Sequence, residues 1–105
     1  MTSFTFCFSN SLMPDIYKID LSYTDPEQLA QDVNNSNDEF IPSGFKLEWS
    51  LECSDVRHKQ LLTIINNKYP DSNIGKGYYK LTKLQLLDVE LTAEVVNKLS
   101  IADKV

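Results

Sequence analysis

The sequence contains few residues that break a chain or cross-link it. Its 105 residues include 3 glycines, 4 prolines and 2 cysteines, while 42% are apolar. Collagen-like, low-complexity and disulfide-rich chains each need far more of one of these residues, so those classes are excluded. The remaining class is the globular one, and the length suits a single core. We therefore predict one domain over residues 1–105.

Long apolar runs and sorting signals are missing as well. No stretch approaches the roughly 18 consecutive apolar residues that a membrane-spanning helix needs. The start of the chain has neither a basic region nor a small-residue cleavage site. From these absences we expect a soluble intracellular protein, in the cytoplasm or nucleus, with no membrane partner.

Metal-binding and redox patterns are missing too. Cys7 and Cys53 lie far apart, and the single histidine, His58, has no companion at ligand spacing. Two buried, reduced thiols are the expected state of the cysteines. The residues thus predict no cofactor and no metal.

Basic residues are scarce overall and unevenly placed. The net charge of −5 opposes tight nonspecific binding to nucleic acid, which depends on cations that neutralise phosphates. Residues 1–55 hold ten acids and two lysines, whereas residues 57–83, the basic segment, hold six cations and one acid. Two interpretations of the basic segment stay open: a docking face and a solvated helix surface. Its cations are Arg57, Lys59, Lys68, Lys76, Lys80 and Lys83.

Alternating apolar residues predict three strands. Residues 3–9 alternate phenylalanines with smaller side chains, and residues 16–23 alternate again, which together indicate a hairpin. Residues 45–51 alternate as well and predict a third strand. The side chains expected on the buried face of this third strand are Phe45, Leu47, Trp49 and Leu51.

Capping residues predict two helices between and after these strands. The first covers 26–34 behind a capping box formed by Thr24 and Glu27, and its apolar stripe should face the sheet. The second covers 55–69 behind a cap at Ser54 or Asp55. Residues 34–44, between the first helix and the third strand, are predicted as a polar loop.

The last third of the chain is predicted as a loop over 70–77, a short strand or extended segment over 78–81, and a terminal helix over about 82–100. The helix is either continuous or broken near 90–92. The order β-β-α-β-α-(β)-α predicts an α+β fold with a small antiparallel three-stranded sheet flanked by helices. The apolar residues that define the terminal helix, spaced by three and four, are Leu84, Leu87, Leu91, Val95 and Leu99.

Four short strings keep a definite order along residues 4–81. They are FTFCFSN from Phe4, MPDIYKID from Met13, TDPEQL from Thr24 and GYYKL from Gly77. In order and spacing they resemble the GIY-YIG nuclease superfamily, especially its small viral and phage subgroup with a Lys-Ile-Gly second motif. The resemblance implies a GIY-YIG-like fold, nucleic acid as the inherited partner, and a viral origin with the host cell or virion as its location.

The resemblance also implies that the catalytic residues have been replaced. Phe6 stands where the family has its first tyrosine, and it has no hydroxyl to relay a proton. Lys18 matches the leading residue of the second motif, and it is either a phosphate ligand or a solvated strand lysine. Asp20 replaces the motif glycine. Leu29, or Gln28 if the register slips by one, replaces the arginine that stabilises charge on the phosphate.

The second helix of the family supplies a metal-binding glutamate, followed four residues later by a histidine in the subgroup. The alignment places His58 at the glutamate and Leu62 at the histidine. A lone imidazole is a poor ligand for Mg²⁺, which prefers oxygen. Asp55 or Glu52 would supply a carboxylate only in a shifted alignment.

The subgroup has an acid before a pair of aromatic residues, and here Gly77 replaces that acid. The aromatic pair is Tyr78 and Tyr79. Packing against the second helix is one interpretation of the pair, and a surface for stacking on a base or a partner is the other. The resemblance thus implies a retained scaffold without most of its chemistry.

Three functions of different classes follow. The first is a non-enzymatic, nucleic-acid-associated binding or regulatory domain with a degenerate GIY-YIG fold. The second is a protein-interaction module or homodimer that uses the acidic half or the terminal helix, and the third is a metal-dependent endonuclease with a rearranged site around Tyr17, Lys18 and His58. The binding residues predicted for the first function are Lys18, Arg57, Lys59, Lys68, Lys76, Tyr78, Tyr79, Lys80 and Lys83.

Overall fold

The computed structural model describes residues 2–35 and 44–102, with side chains described as far as Lys98. Most of the predicted loop over 34–44 therefore lies outside the described residues. Five strands and three helices occupy the described part of the chain. They are β1 (Phe4–Asn10), β2 (Ile16–Ser22), α1 (Pro26–Asn34), β3 (Phe45–Glu52), α2 (Asp55–Lys68), β4 (Asn73–Gly75), β5 (Tyr78–Lys80) and α3 (Lys83–Ala102).

The strands form one sheet in the order β3-β1-β2-β5-β4, and every neighbouring pair is antiparallel. The predicted α+β class with an antiparallel sheet and helices is confirmed. The expected number of strands, three, is wrong because β5 extends the sheet and β4 lies within the predicted loop over 70–77. Among the described residues, no helix is both long and apolar enough to cross a membrane.

β4 was not predicted because its three residues are exposed and show no alternation of apolar and polar side chains. The strand forms because the chain reverses between Gly75 and its partner Tyr78. The two residues between them, Lys76 and Gly77, have φ angles of 57° and 83°. Two positive φ angles are typical of the tight hairpin turn whose twist matches that of the strands.

Helices cover both faces of the sheet, so the protein has three layers. On one side, the α1 face, Phe6, Phe8 and Phe45 pack with Ala30 of α1. On the other side, the α2–α3 face, side chains of β1, β2 and β5 pack with those of α2 and α3. The buried residues of this second cluster are Cys7, Tyr17, Ile19, Leu61, Ile65, Tyr79, Leu81, Val89 and Ala93.

A β-bulge in β3 divides its apolar residues between the two faces. The β1–β3 register shifts between Cys7, which pairs with Trp49, and Phe8, which pairs with Leu47. The extra residue in β3 reverses the side-chain alternation, as a bulge does. The expectation of a single buried face is therefore wrong: Phe45 and Leu47 contact the α1 cluster, while Trp49 and Leu51 contact the α2–α3 cluster.

Side-chain caps fix the starts of the three helices. Asp25, one residue after the predicted Thr24, caps α1 by accepting from the Glu27 amide at 3.3 Å. Of the two predicted caps of α2, Ser54 is the one observed, and Asp55 is the first residue of the helix. At α3, Gln85 Oε1 accepts from the Thr82 amide at 2.9 Å and Thr82 Oγ1 accepts from the Gln85 amide at 3.1 Å, which is a capping box.

α3 runs without a break over Lys83–Ala102, so the alternative of a break near 90–92 is wrong. Its buried residues are Val89, Ala93 and Val96. The predicted apolar row faces solvent. The helix is apolar on two sides, and the spacing of its residues does not indicate which side meets the core. Leu84, Leu87, Leu91 and Val95 are 80%, 50%, 53% and 57% exposed, and the side chain of Leu99 lies outside the described residues.

Candidate functional site

A cavity of about 550 Å³ opens on the α1 face of the sheet. It lies over β1 and β2, beside α1 and the start of β5. Most of the wall formed by the described residues is aromatic or aliphatic, with one cation and one carboxylate. The residues that line it are Phe6, Phe8, Lys18, Asp20, Leu21, Ser22, Tyr23, Thr24, Leu29, Val33, Phe45 and Tyr78.

The strand register brings the polar and aromatic groups of the cavity together. Phe6 is opposite Asp20, Phe8 is opposite Lys18, and Lys18 is in turn opposite Tyr78. Directly opposite residues on adjacent strands point to the same face of a sheet. Residues separated by more than 50 positions along the chain thus become neighbours.

Asn34 fixes α1 over the sheet and so sets one wall of the cavity. Its side-chain nitrogen donates to the Phe45 carbonyl at 2.8 Å, and its side-chain oxygen accepts from the Phe45 amide at 2.8 Å. This pair of bonds ties the end of α1 to the start of β3. Leu29 and Val33 of α1 consequently lie against the cavity.

Lys18 and Tyr78 form the polar edge of the aromatic wall. The Lys18 ammonium lies 5.4 Å from the centroid of the Tyr78 ring, within the range of a cation–π contact. Phe6 and Phe8 continue the wall, with ring centroids 4.4 Å apart. A positive charge beside a flat aromatic surface suits a ligand that is both anionic and planar.

Asp20 gives the cavity a negative group near Gly77. Its Oδ1 accepts from the Leu21 amide at 2.8 Å. The Gly77 carbonyl accepts from the Ile19 amide at 2.9 Å, and a Cβ at position 77 would lie 3.1 Å from Asp20 Oδ2. Glycine is therefore required at 77 both for its φ of 83° and for this close approach.

His58 lies on the opposite side of the sheet from the cavity. It is 5% exposed, and its Nδ1 forms a hydrogen bond of 2.9 Å with Thr5 Oγ1. Burial lowers the pKa of His58, although the nearby carboxylates of Asp20 and Asp55 oppose that shift. The Thr5–His58 hydrogen bond was not predicted, because nothing in the spacing of the two residues indicates it.

The rearranged site around Tyr17, Lys18 and His58 is not assembled. Tyr17 and His58 lie on the α2–α3 face, whereas Lys18 lies in the cavity on the α1 face. Of the shifted carboxylate candidates, Asp55 accepts from the Tyr23 hydroxyl at 3.0 and 2.9 Å, and Glu52 is exposed at the end of β3. The residues that the structure describes contain no group of three or more His, Cys, Asp and Glu placed to hold a metal ion.

The two adjacent tyrosines point to opposite faces, as consecutive residues of a strand do. Tyr78 lines the cavity. Tyr79 is 2% exposed and packs in the cluster of Leu61 and Ile65, which is the predicted packing against the second helix. In this conformation Tyr79 cannot stack on a ligand, so its prediction as a binding residue is wrong.

The cations of the basic segment are spread over several surfaces. Lys68 pairs with Asp88 at 2.6 Å, and the Arg57 guanidinium donates to Gln60 at 2.9 Å. Lys59 lines a groove between α2 and α3 on the other face of the protein. Lys80 borders a polar hollow beside Lys68, while Lys83 begins α3. Lys76, in the β4–β5 turn next to Gly77, lies two residues before the cavity residue Tyr78.

Five of the six motif positions lie at or beside one cavity. Phe6, Lys18, Asp20 and Leu29 line it, and Gly77 contacts Asp20, whereas the sixth position, His58, does not reach it. Gln28, the alternative to Leu29, is exposed and donates to Asp32. Sequence reasoning missed seven of the cavity residues, most of which have an apolar pattern that indicated only core packing. They are Phe8, Leu21, Ser22, Tyr23, Thr24, Val33 and Phe45.

Cys7 and Cys53 differ in environment. Both thiols are free, and Cys7 is buried as predicted, whereas Cys53 is partly exposed at the end of β3. Burial, followed by the charges of Glu48 and Glu90, raises the pKa of the Cys7 thiol far above its ordinary value. Cys7 is therefore a neutral core residue rather than a nucleophile.

Comparison of the sequence with protein-family models finds no match, and comparisons with curated proteins and with solved structures find none either.

Proposed function

We propose that the chain is a catalytically degenerate GIY-YIG-type domain that binds single-stranded nucleic acid at the cavity on the α1 face without cutting it. The observation that carries the proposal is the Lys18 ammonium beside the Tyr78 ring at the edge of an aromatic cavity. A nucleotide offers a phosphate for the cation and a flat base for the ring. An unpaired strand is the form that can insert a base into such a cavity.

The residues around the cavity support binding rather than hydrolysis. Hydrolysis in the proposed family needs a proton relay, a cation from the first helix and a metal ligand from the second helix. Phe6 has no hydroxyl, Leu29 has no charge, and His58 is buried on the other face of the sheet. Asp20, two residues along β2 from Lys18 and beside Gly77, would also repel a phosphate, so we expect the phosphate to lie next to Lys18 and away from the Asp20 carboxylate.

The test is fluorescence anisotropy with a labelled single-stranded DNA or RNA of about ten nucleotides at low salt. Removing a stacking ring costs about 1–3 kcal/mol, so Tyr78→Ala should weaken binding by about 5- to 150-fold. Lys18→Ala should weaken binding as well. Lys59→Ala is the matched control, since this exposed lysine lies on α2, and it should bind like the parent protein.

Cleavage is scored on the same samples by denaturing gel, with and without Mg²⁺ or Mn²⁺. We expect the oligonucleotide to be bound and to remain intact with and without the metal ions. Metal-dependent cleavage that disappears in His58→Ala would instead support the endonuclease alternative. Equal binding by the parent, Lys18→Ala and Tyr78→Ala would reject the cavity as the binding site.

A protein-interaction role is the second candidate, and one observation favours it. Among the side chains described, as far as Lys98, α3 exposes four large apolar residues along one side. Absence of any nucleic-acid binding, together with self-association or partner binding through α3, would replace the first proposal with this one.

A further inference from the structure

The outer side of α3 carries an apolar stripe that nothing in the described part of the chain covers. The stripe consists of Leu84, Leu87, Leu91 and Val95, each at least half exposed. Intervals of three, four and four residues place these side chains in one row along the helix. Soluble monomers seldom expose so continuous an apolar row, which is typical of a contact surface.

The stripe is separate from the core contact of α3. Val89, Ala93 and Val96, which are buried, lie roughly on the opposite side of the helix at 100° per residue. On α2, Val56 and Ile64 are also exposed, and they border a groove that reaches Val96. One side of α3 thus completes the monomer core, and the other side is available for a second chain.

We infer that this stripe pairs with the same stripe of a second copy of the chain, with the two α3 helices antiparallel. This inference is independent of the nucleic-acid proposal. In a two-fold dimer the same residues contribute from both copies, so a contact surface must complement itself. An antiparallel arrangement centred between Val89 and Glu90 places Leu84 opposite the partner's Val95, and Leu87 close to the partner's Leu91.

The charges beside the stripe favour this orientation. Lys83 and Glu94 are exposed and eleven residues apart, which is about three turns, so they lie on the same flank of α3. In the antiparallel dimer, Lys83 lies within about 3 Å, along the helix axis, of the partner's Glu94. In a parallel two-fold dimer this flank would face the opposite flank of the partner's helix, so Lys83 and Glu94 would not pair. Lys98, also exposed, would face the residues that precede the partner's α3.

Sedimentation equilibrium of the full chain across micromolar concentrations tests the inference. The parent protein should show a reversible dimer mass, and Leu91→Glu should be monomeric at every concentration. Leu12→Glu is the matched control, because Leu12 is 71% exposed but lies between β1 and β2, and it should dimerise like the parent. Circular dichroism checks that each variant is folded, and we expect both to be folded because both leucines are exposed.

Charge exchange tests the orientation. Lys83→Glu and Glu94→Lys should each weaken the dimer by about fivefold, the upper range for an exposed ion pair. The double variant should restore parental affinity, and this rescue must act between copies because the two residues of one helix are about 16 Å apart. A parent protein that stays monomeric, or a Leu91→Glu variant that dimerises as tightly as the parent, overturns the inference. A double variant weaker than either single variant overturns the antiparallel arrangement.

Discussion

Gly77 combines a positive φ angle with a contact to the cavity carboxylate. Gly77→Ala would force an L-residue to φ of 83° and place its Cβ 3.1 Å from Asp20 Oδ2. A left-handed backbone angle alone costs an L-residue about 1–2 kcal/mol. We expect a loss in unfolding free energy of at least this size, measured by urea denaturation.

Gly75→Ala separates the two causes. Gly75 also has a positive φ, 98°, but a Cβ there would meet no atom within 4 Å. Gly75→Ala should therefore show only the backbone cost, and Gly77→Ala should be the less stable variant. Equal losses would mean that Asp20 moves aside freely and that the cavity is less closely fitted at this end.

His58 should make stability depend on pH. Burial holds the pKa of His58 below that of an unfolded chain, so the unfolded state binds a proton more readily. The stabilising contribution of neutral His58 is therefore present above the unfolded pKa of about 6.5 and is lost as pH falls below it. The unfolding free energies of the parent and His58→Gln should be compared between about pH 7.5 and 5, the range in which histidine titrates. The difference between the two proteins separates the contribution of His58 from that of the carboxylates.

The parent should lose more stability than His58→Gln over that interval. Parallel pH profiles for the two proteins would show that His58 titrates alike when folded and unfolded. In that case the 2.9 Å hydrogen bond between Thr5 and His58 would stabilise the neutral and the protonated ring equally.

At the level of elements, the start of α3 depends on a reciprocal cap. Thr82→Ala removes the oxygen that accepts from the Gln85 amide and should lower the unfolding free energy by about 1 kcal/mol. Thr63→Ala is the control, because Thr63 lies within α2, where its hydroxyl donates to the Lys59 carbonyl, and alanine favours a helix interior. Thermal or urea denaturation that ranks the two variants equally would contradict a stabilising cap.

Most elements could be predicted from local patterns, and the failures have physical causes. Strong alternation in residues 4–10 and 16–22 and the cap at Ser54 were sufficient for β1, β2 and α2. The bulge in β3 was invisible because Phe45, Leu47, Trp49 and Leu51 alternate perfectly, although the strand changes faces between Leu47 and Trp49. Bulges arise from pairing with a neighbour, which a single strand's sequence does not encode.

α3 shows a different limit of periodicity. Its sequence holds two apolar rows, and the row with the larger leucines was the one that predicted the helix. The structure buries the row of smaller side chains, Val89, Ala93 and Val96, against the protein. Leu86 also packs against this core, so the side of α3 that is buried depends on its neighbours and not on the spacing of its apolar residues.

For the whole molecule, the site could be predicted only through the order of its motifs. The resemblance to GIY-YIG nucleases indicated six positions, on β1, β2, α1, α2 and the β4–β5 turn. Five of the six lie at or beside one cavity. Charge alone did not indicate one surface, because the cations of the basic segment are distributed over α2, the β4–β5 turn, β5 and α3. Their proximity in sequence did not imply a shared face.

The overall charge of −5 means that any binding of nucleic acid must be local. With few cations at the cavity, few counterions would be released. Affinity should therefore fall only gently with salt, in contrast to proteins that make many phosphate contacts. The proposed function is thus a weak, cavity-centred interaction rather than a wide electrostatic one.

The most direct measurement is a ¹H–¹⁵N correlation spectrum of the labelled protein, titrated with a ten-nucleotide single strand. The account predicts progressive shifts for the amides of Lys18, Asp20, Gly77 and Tyr78, with those of Lys59 and Thr63 unchanged. Shifts centred on α2 or α3, or a spectrum that does not change at millimolar oligonucleotide, would contradict nucleic-acid binding at the cavity.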